Sequence, residues 1–155
     1  MRKETPVYRP KEFESLCKEL GNTIDEKTGK SIFNRLADVL AFAAYLGFQL
    51  EFKRDFTQDK RGEDIQWQII RNQEDDVIID IMNLAETRDM TFLEKNSDID
   101  PRDLFHDYAY GGLTKISQWR EDNPGDLLDA ILQGLSKEKI IDLNNNDQAL
   151  ENLEY

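Results

Sequence analysis

The sequence predicts a mainly helical α+β fold, with about five helices packed around one β-hairpin in a single domain. Two patterns support this prediction. Apolar residues recur at intervals of three and four along most of the chain, which is the spacing of one helix face. After the second such stretch the period changes to strict alternation, which is typical of strands. The 155 residues are 39% hydrophobic, a content sufficient for one core of ordinary size.

The first helix is predicted from Pro10 to Leu20, and Gly21 follows it as a stop signal. Its apolar stripe has four members: Phe13, Leu16, Cys17 and Leu20. Because Cys17 belongs to this stripe, we expect a small buried side chain rather than a reactive thiol. Residues 1–9 are expected to form an N-terminal arm.

The second helix is predicted to begin at Ser31, a suitable N-cap, and to end at Gly47 in the left-handed conformation. It is apolar over much of its circumference, so we expect it to be the central helix. The hairpin is predicted at about residues 48–70. Its two alternating runs, Phe48–Phe52 and Ile65–Ile69, flank a polar loop.

Three more helices are predicted in the second half. The third carries an apolar stripe of five residues: Val77, Ile78, Ile81, Leu84 and Ala85. The fourth begins with Asp100 as N-cap and Pro101 in the first turn, and its Gly111-Gly112 pair indicates a kink or a close approach of another backbone. The fifth starts at Asn123-Pro124 and closes a domain of residues 10–136. Residues 137–155 are expected to form an acidic, flexible tail.

Charge divides the chain into two halves. Residues 1–73 carry 13 Lys and Arg against 12 Asp and Glu, whereas residues 74–155 carry 7 against 20, so the net charges are +1 and −13. DNA phosphates would repel the acidic half, so direct nucleic-acid binding is not expected unless a local basic patch acts alone. The members of that patch would be Lys53, Arg54, Lys60 and Arg61. The acidity either provides solubility or forms a face that docks a basic partner or imitates DNA phosphates.

An acidic docking face would combine carboxylates with aromatic anchors, provided that the aromatic side chains are exposed. The candidate residues are Glu74, Asp75, Asp76, Asp103, Asp107, Tyr108, Tyr110 and Trp119. The sequence sets neither the oligomeric state nor the identity of a partner.

One enzymatic alternative stays open. Glu51 and Lys53 form an E-x-K pair on a predicted strand, which is half of the pattern of PD-(D/E)xK nucleases. In that pattern the carboxylate holds Mg²⁺ and the lysine helps to activate water. The Asp expected on a neighbouring strand is missing, because Asp38 falls within a helix. We therefore expect a non-catalytic protein without cofactor or metal, and a Mg-dependent nuclease is the alternative.

The remaining observations concern location. The chain has a single cysteine and a single histidine, His106, which is expected to be partly exposed on its helix. No apolar run approaches the length that spans a bilayer, and the N-terminus lacks the apolar core of a signal peptide. We therefore expect a cytoplasmic protein that does not enter a membrane.

Four segments in order resemble a known family. They are SIFNRLADVLAFAAYLGFQLEFKR at 31–54, IQWQIIRNQEDDVIIDIMNLAET at 65–87, FHDYAYGGL at 105–113 and NPGDLLDAIL at 123–132. Together they are similar to the DNA phosphorothioation (Dnd) system-associated protein 4 family, over roughly residues 8–136.

The resemblance implies a prokaryotic protein encoded beside genes that replace a backbone phosphate oxygen with sulfur, or that restrict DNA lacking that mark. It therefore implies a role in antiviral defence and supplies no catalytic residues. Our first hypothesis is an accessory or regulatory protein that binds protein components of the modification or restriction complex. An acidic DNA-mimic inhibitor is a further alternative.

Overall fold

The computed structural model describes residues 7–24, 27–33, 35–65, 76–88 and 100–140. These residues form five α-helices and one two-stranded antiparallel sheet, so the predicted mainly helical class is confirmed. Backbone contacts divide the chain into two compact units, Met1–Lys115 and Ile116–Tyr155. The predicted boundaries at 9 and 136 stay predictions. The elements are β1 (Val7–Pro10), α1 (Glu14–Gly21), α2 (Leu36–Gln49), β2 (Arg61–Ile65), α3 (Asp76–Thr87), α4 (Pro101–Asp122) and α5 (Leu127–Lys137).

The strands do not form where alternation predicted them. β1 pairs with β2, with Val7 opposite Ile65 and Tyr8 opposite Asp64. Phe48 continues α2, and the residues from 52 to 57 are not in a strand. The predicted first strand of the hairpin is therefore wrong, because α2 continues to Gln49 and the chain then turns at Leu50 and Glu51. Most of the second alternating run, residues 66–69, lies outside the described residues.

The core of the first unit follows the predicted helical stripes. A short 3₁₀ turn (Lys11–Phe13) leads from β1 into α1, and all four residues of the predicted α1 stripe are buried. The fully enclosed side chains of α2 and α4 continue this core: Val39, Leu40, Ala43, Ala44 and Leu113. Burial of these apolar side chains provides the main stabilisation of the unit.

Polar side chains fix the helix starts, one of them as predicted. Asp100 caps α4 by accepting a hydrogen bond from the Arg102 backbone N–H at 3.0 Å, which confirms the predicted cap. The Ser31 prediction is wrong, since α2 begins at Leu36 and Asp38 accepts a hydrogen bond from the N-cap N–H of Arg35 at 3.1 Å.

The last helix also begins later than predicted. Asp126, rather than Asn123, caps α5 by accepting from the Leu128 N–H at 3.2 Å. Any short carboxylate, amide or hydroxyl side chain can serve as a cap. The sequence therefore offers several candidate starts a few residues apart.

Three glycines allow backbones to touch within the first unit. A Cβ at Gly112 would collide with the carbonyl oxygen of Ala43 in α2, and one at Gly111 would collide with that of Phe52. The close approach predicted for the Gly111-Gly112 pair is therefore confirmed. Gly47 lies inside α2, against the carbonyl of Tyr108, so its predicted role as a left-handed helix end is wrong.

The second unit contains the end of α4, a short connection and α5. Trp119 is 7% exposed and its indole ring lies against Gly134 of α5, where a Cβ would overlap the ring. Leu127, Ala130 and Ile131 complete the buried face of α5. In this unit a missing side chain on one helix therefore makes room for the largest side chain on the other.

Candidate functional site

A half-open cleft of about 550 Å³ lies in the first unit, where the ends of α2 and α3 approach α4. Its lining combines aromatic and charged side chains with a small apolar residue from α3. The principal lining residues are Phe48, Glu51, Lys53, Ala85, Glu86 and Tyr108. All of them fall within residues 31–54, 65–87 and 105–113 of the sequence.

Glu86 is the centre of a hydrogen-bonded network in this cleft. The ammonium group of Lys53 donates to Glu86 Oε1 at 2.9 Å, and the hydroxyl of Tyr108 donates to Glu86 Oε2 at 2.8 Å. The Lys53 Nζ atom also lies 5.7 Å from the centroid of the Tyr108 ring. Both oxygens of the Glu86 carboxylate are therefore held, and its side chain is fixed against α4.

The network sets the charge state of the cleft. The hydrogen bond from Lys53, followed by that from Tyr108, holds the pKa of Glu86 below its usual value. Burial, together with the neighbouring Glu86 carboxylate, raises the pKa of Tyr108 to about 12. At neutral pH Tyr108 therefore remains protonated and acts as a hydrogen-bond donor, not as a general base.

Glu51 and Lys53 do not match the PD-(D/E)xK nuclease pattern. Glu51 lies in a turn after α2 with a φ of 53°, and Lys53 follows in an irregular segment. The predicted strand that would display both side chains is absent there, and Lys53 pairs with Glu86 rather than facing a metal site. Among the residues that the structure describes, no group of three or more His, Cys, Asp or Glu is placed to hold a metal ion.

Beside the cleft, α3 turns apolar side chains outward. Ile81 is 58% exposed and Leu84 is 42% exposed, whereas Met82 and Asn83 are buried. Ala85, also exposed, continues this face to the mouth of the cleft. These three residues belong to the five-residue apolar stripe that predicted the third helix, and the helix forms but exposes them. We call Ile81, Leu84 and Ala85 the α3 stripe.

The acidic residues predicted for a docking face lie in different environments. Asp103 is exposed on α4, and the half-buried Asp107 accepts a hydrogen bond from the Phe56 N–H at 2.9 Å. Burial raises the pKa of Asp107, although the hydrogen bond from the Phe56 N–H opposes this shift. That hydrogen bond gives the carboxylate a structural role within the chain. Asp76 begins α3, but its side chain lies outside the described residues, as do Glu74 and Asp75 entirely.

The predicted aromatic anchors are buried, and the condition of exposure placed on them is not met. Tyr108 is 5% exposed, Tyr110 is 1% exposed, and Trp119 packs inside the second unit. The Tyr110 hydroxyl donates to the carboxylate of Glu12. These rings therefore position other groups and offer little surface to a partner.

The basic patch is largely paired within the chain. Lys53 binds Glu86, and the guanidinium of Arg54 lies 3.7 Å from Glu12 and 4.1 Å from the centroid of Tyr110. Arg61 stacks over Tyr8 at 4.6 Å, and Lys60 is half-buried in a 3₁₀ turn. These contacts reduce the positive charge available to phosphates.

His106 is buried, so the expectation of partial exposure is wrong. Its exposed fraction is 4%, its Nε2 atom accepts a hydrogen bond from the Tyr8 N–H at 3.0 Å, and its ring stacks on Phe56 at 4.9 Å. Burial lowers its pKa to about 3. The neutral ring thus holds β1 against α4. The sequence contains no local signal for this contact, because Tyr8 lies far from His106 along the chain.

The fold and the cleft together define a small, mainly helical protein with a charged cleft next to an exposed apolar helix face. No helix within the described ranges is long and apolar enough to cross a membrane. The chain belongs to the DNA sulphur modification system-associated protein 4 family, whose model matches residues 6–153. This match confirms the resemblance found in the sequence and associates the chain with a DNA sulphur modification system. Searches among curated proteins and among solved structures gave no significant match.

Proposed function

We propose that this chain is a non-catalytic accessory protein of a DNA sulphur modification system, and that it acts in the cytoplasm by binding a protein component of the modification or restriction complex. The observation that carries the proposal is the α3 stripe. An amphipathic helix normally buries its apolar side chains. Here Ile81 and Leu84 remain 58% and 42% exposed, which is typical of a surface that a partner covers.

The size of the stripe suits a specific contact. Full burial of an Ile or Leu side chain contributes roughly 1.5 to 3 kcal/mol. Since about half of each side chain is exposed, covering both would contribute roughly 1.5 to 3 kcal/mol in total. That is the contribution of a central anchor in an interface, and the surrounding contacts would then exclude water.

Charge favours a protein partner over DNA. The carboxylates of Glu51 and Glu86 lie beside the α3 stripe, and the basic residues 53, 54 and 61 already have carboxylate or aromatic partners. A surface of this kind repels phosphates and attracts basic protein segments.

The test is co-purification of the tagged full-length chain with the protein products of the neighbouring modification and restriction genes. The wild type should retain at least one of them, and Ile81→Glu should reduce retention about ten-fold or more, since a buried charge costs well over 1.4 kcal/mol. Ile24→Glu is the matched control, because Ile24 is 55% exposed in a different part of the chain.

Retention of no system component, or an equal loss with both substitutions, would contradict the proposal. The DNA-mimic alternative makes a different prediction in the same assay. Duplex DNA would compete with the chain for its partner, and added salt would abolish the competition.

A further inference from the structure

We propose that the cleft beside α3 binds an arginine side chain of the protein partner, with the guanidinium paired to Glu51 and packed against Phe48. This inference rests on the proposed function and names the chemistry of its partner. The α3 stripe leads to the cleft through Ala85, which belongs to both surfaces. A partner segment lying on the stripe would therefore bring one of its side chains to the cleft mouth.

Glu51 supplies the unpaired charge. Its backbone N–H donates to the Phe48 carbonyl at 3.2 Å, but its side chain is exposed and has no hydrogen-bond or ion-pair partner among the residues that the structure describes. Glu86, by contrast, is already held by Lys53 and Tyr108. With two carboxylates and one ammonium group, the cleft carries a net charge of about −1, which one cationic side chain would neutralise.

The aromatic walls of the cleft favour a planar cation such as a guanidinium group. Phe48 is half-buried and its ring lies 5.5 Å from that of Tyr108, edge to face. Guanidinium groups combine ring stacking with paired hydrogen bonds to a carboxylate, whereas an ammonium group offers a single compact charge. The same unit already uses this combination, since Arg54 stacks on Tyr110 and lies beside Glu12.

Other ligands fit the cleft less well. An anion would meet two carboxylates, and a neutral apolar group would desolvate Glu51 without pairing it. A hard divalent cation needs about six oxygen ligands, whereas Lys53 and Tyr108 occupy the Glu86 carboxylate. A volume of about 550 Å³ accommodates an arginine side chain together with displaced water.

The test uses a probe that needs no identified partner. N-acetyl-arginine amide is titrated into the ¹⁵N-labelled full-length chain, and amide shifts are followed by NMR at low salt. N-acetyl-citrulline amide, which has nearly the same shape without the charge, is the matched ligand. We expect saturable shifts at residues 48–53 and 85–86 with the arginine probe only.

Glu51→Gln should weaken binding of the arginine probe about two- to five-fold, the range for one exposed ion pair. Glu121→Gln is the matched variant, because it removes one exposed carboxylate from the second unit and should leave the affinity unchanged. Equal shifts from both probes, shifts spread over the surface, or an unchanged affinity in Glu51→Gln would each overturn the inference.

The two proposals fail in distinguishable ways. If Ile81→Glu abolishes partner retention but the arginine probe does not bind, the α3 stripe is a docking surface and the assigned cleft ligand is wrong. If the probe binds at Glu51 but no system component is retained, the cleft recognises arginine and the proposed partner class is wrong.

Discussion

Buried His106 makes the stability of this protein depend on pH in a calculable way. Burial, with the positive charges of Arg102 and Arg61, lowers its pKa from 6.5 to about 3, although Asp100 opposes the shift. The geometry agrees, because Nε2 accepts the Tyr8 N–H and a protonated ring would present a second donor to that N–H. In the folded protein the ring is therefore neutral at all pH values well above 3.

The unfolded chain takes up a proton near pH 6.5, whereas the folded chain does so only near pH 3. The stabilisation is thus complete above pH 6.5 and is lost as the pH falls below that value. Each pH unit below 6.5 costs about 1.4 kcal/mol of unfolding free energy. Between pH 7.5 and pH 5.0 the loss is therefore about 2 kcal/mol.

The assay is urea denaturation followed by circular dichroism at these two pH values, for the wild type and for His106→Gln. The glutamine amide oxygen can accept the Tyr8 N–H but does not titrate. Burial raises the pKa of Asp103 and Asp107, and these carboxyls titrate in both proteins, so their contribution cancels in the difference. The wild type should lose about 2 kcal/mol more than the variant on acidification. An equal loss in both proteins would refute the neutral, buried histidine.

Three further outcomes are expected. Gly112→Ala should destabilise the protein by about 2 to 3 kcal/mol in urea denaturation, because its Cβ would collide with an α2 carbonyl. Gly21→Ala is the control, and because Gly21 has open space around it, this substitution should stabilise the protein by about 0.5 to 1 kcal/mol. Gly134→Ala should displace the Trp119 indole and shift its emission to the red in a single-tryptophan background; unchanged emission would contradict this packing. Burial raises the pKa of the Cys17 thiol to about 11, so Ellman's reagent should react only as the protein unfolds, and fast reaction with the native protein would disprove its burial.

Local sequence signals predicted the helices well. The α1 stripe and the cap at Asp100 depend on residues within one or two turns, so a single segment contains all the information. The Gly111-Gly112 pair also indicated correctly that another backbone comes close. The predicted helix starts at Ser31 and Asn123 are wrong, because several neighbouring residues could serve as the N-cap. Tertiary packing, which the local sequence does not contain, selects among them.

The long-range contacts could not be predicted from the sequence. β2 pairs with β1 across the 50 residues between Pro10 and Arg61, and no local pattern encodes that partner. The burial of His106 depends on the same strand, through the Tyr8 N–H. Of the candidate site, the sequence identified Glu51 and Lys53, which it assigned to a strand, and Tyr108, which it considered as an aromatic anchor if exposed. It missed Glu86, to which Lys53 and Tyr108 are bound.

The exposed stripe and the cleft are two consequences of one helix orientation. Glu86 lies on the side of α3 that faces the cleft, because it accepts hydrogen bonds from both Lys53 and Tyr108. Residues three and four positions earlier share its face, and Met82 and Asn83 are buried there, whereas Glu86 itself stays partly exposed at the cleft. Ile81 and Leu84 then lie on the opposite side, and Ala85 lies between that side and the cleft, which it lines together with Glu86. The charged network thus holds α3 in an orientation that its apolar pattern alone would not select, and an apolar partner surface would offset the cost of that exposure.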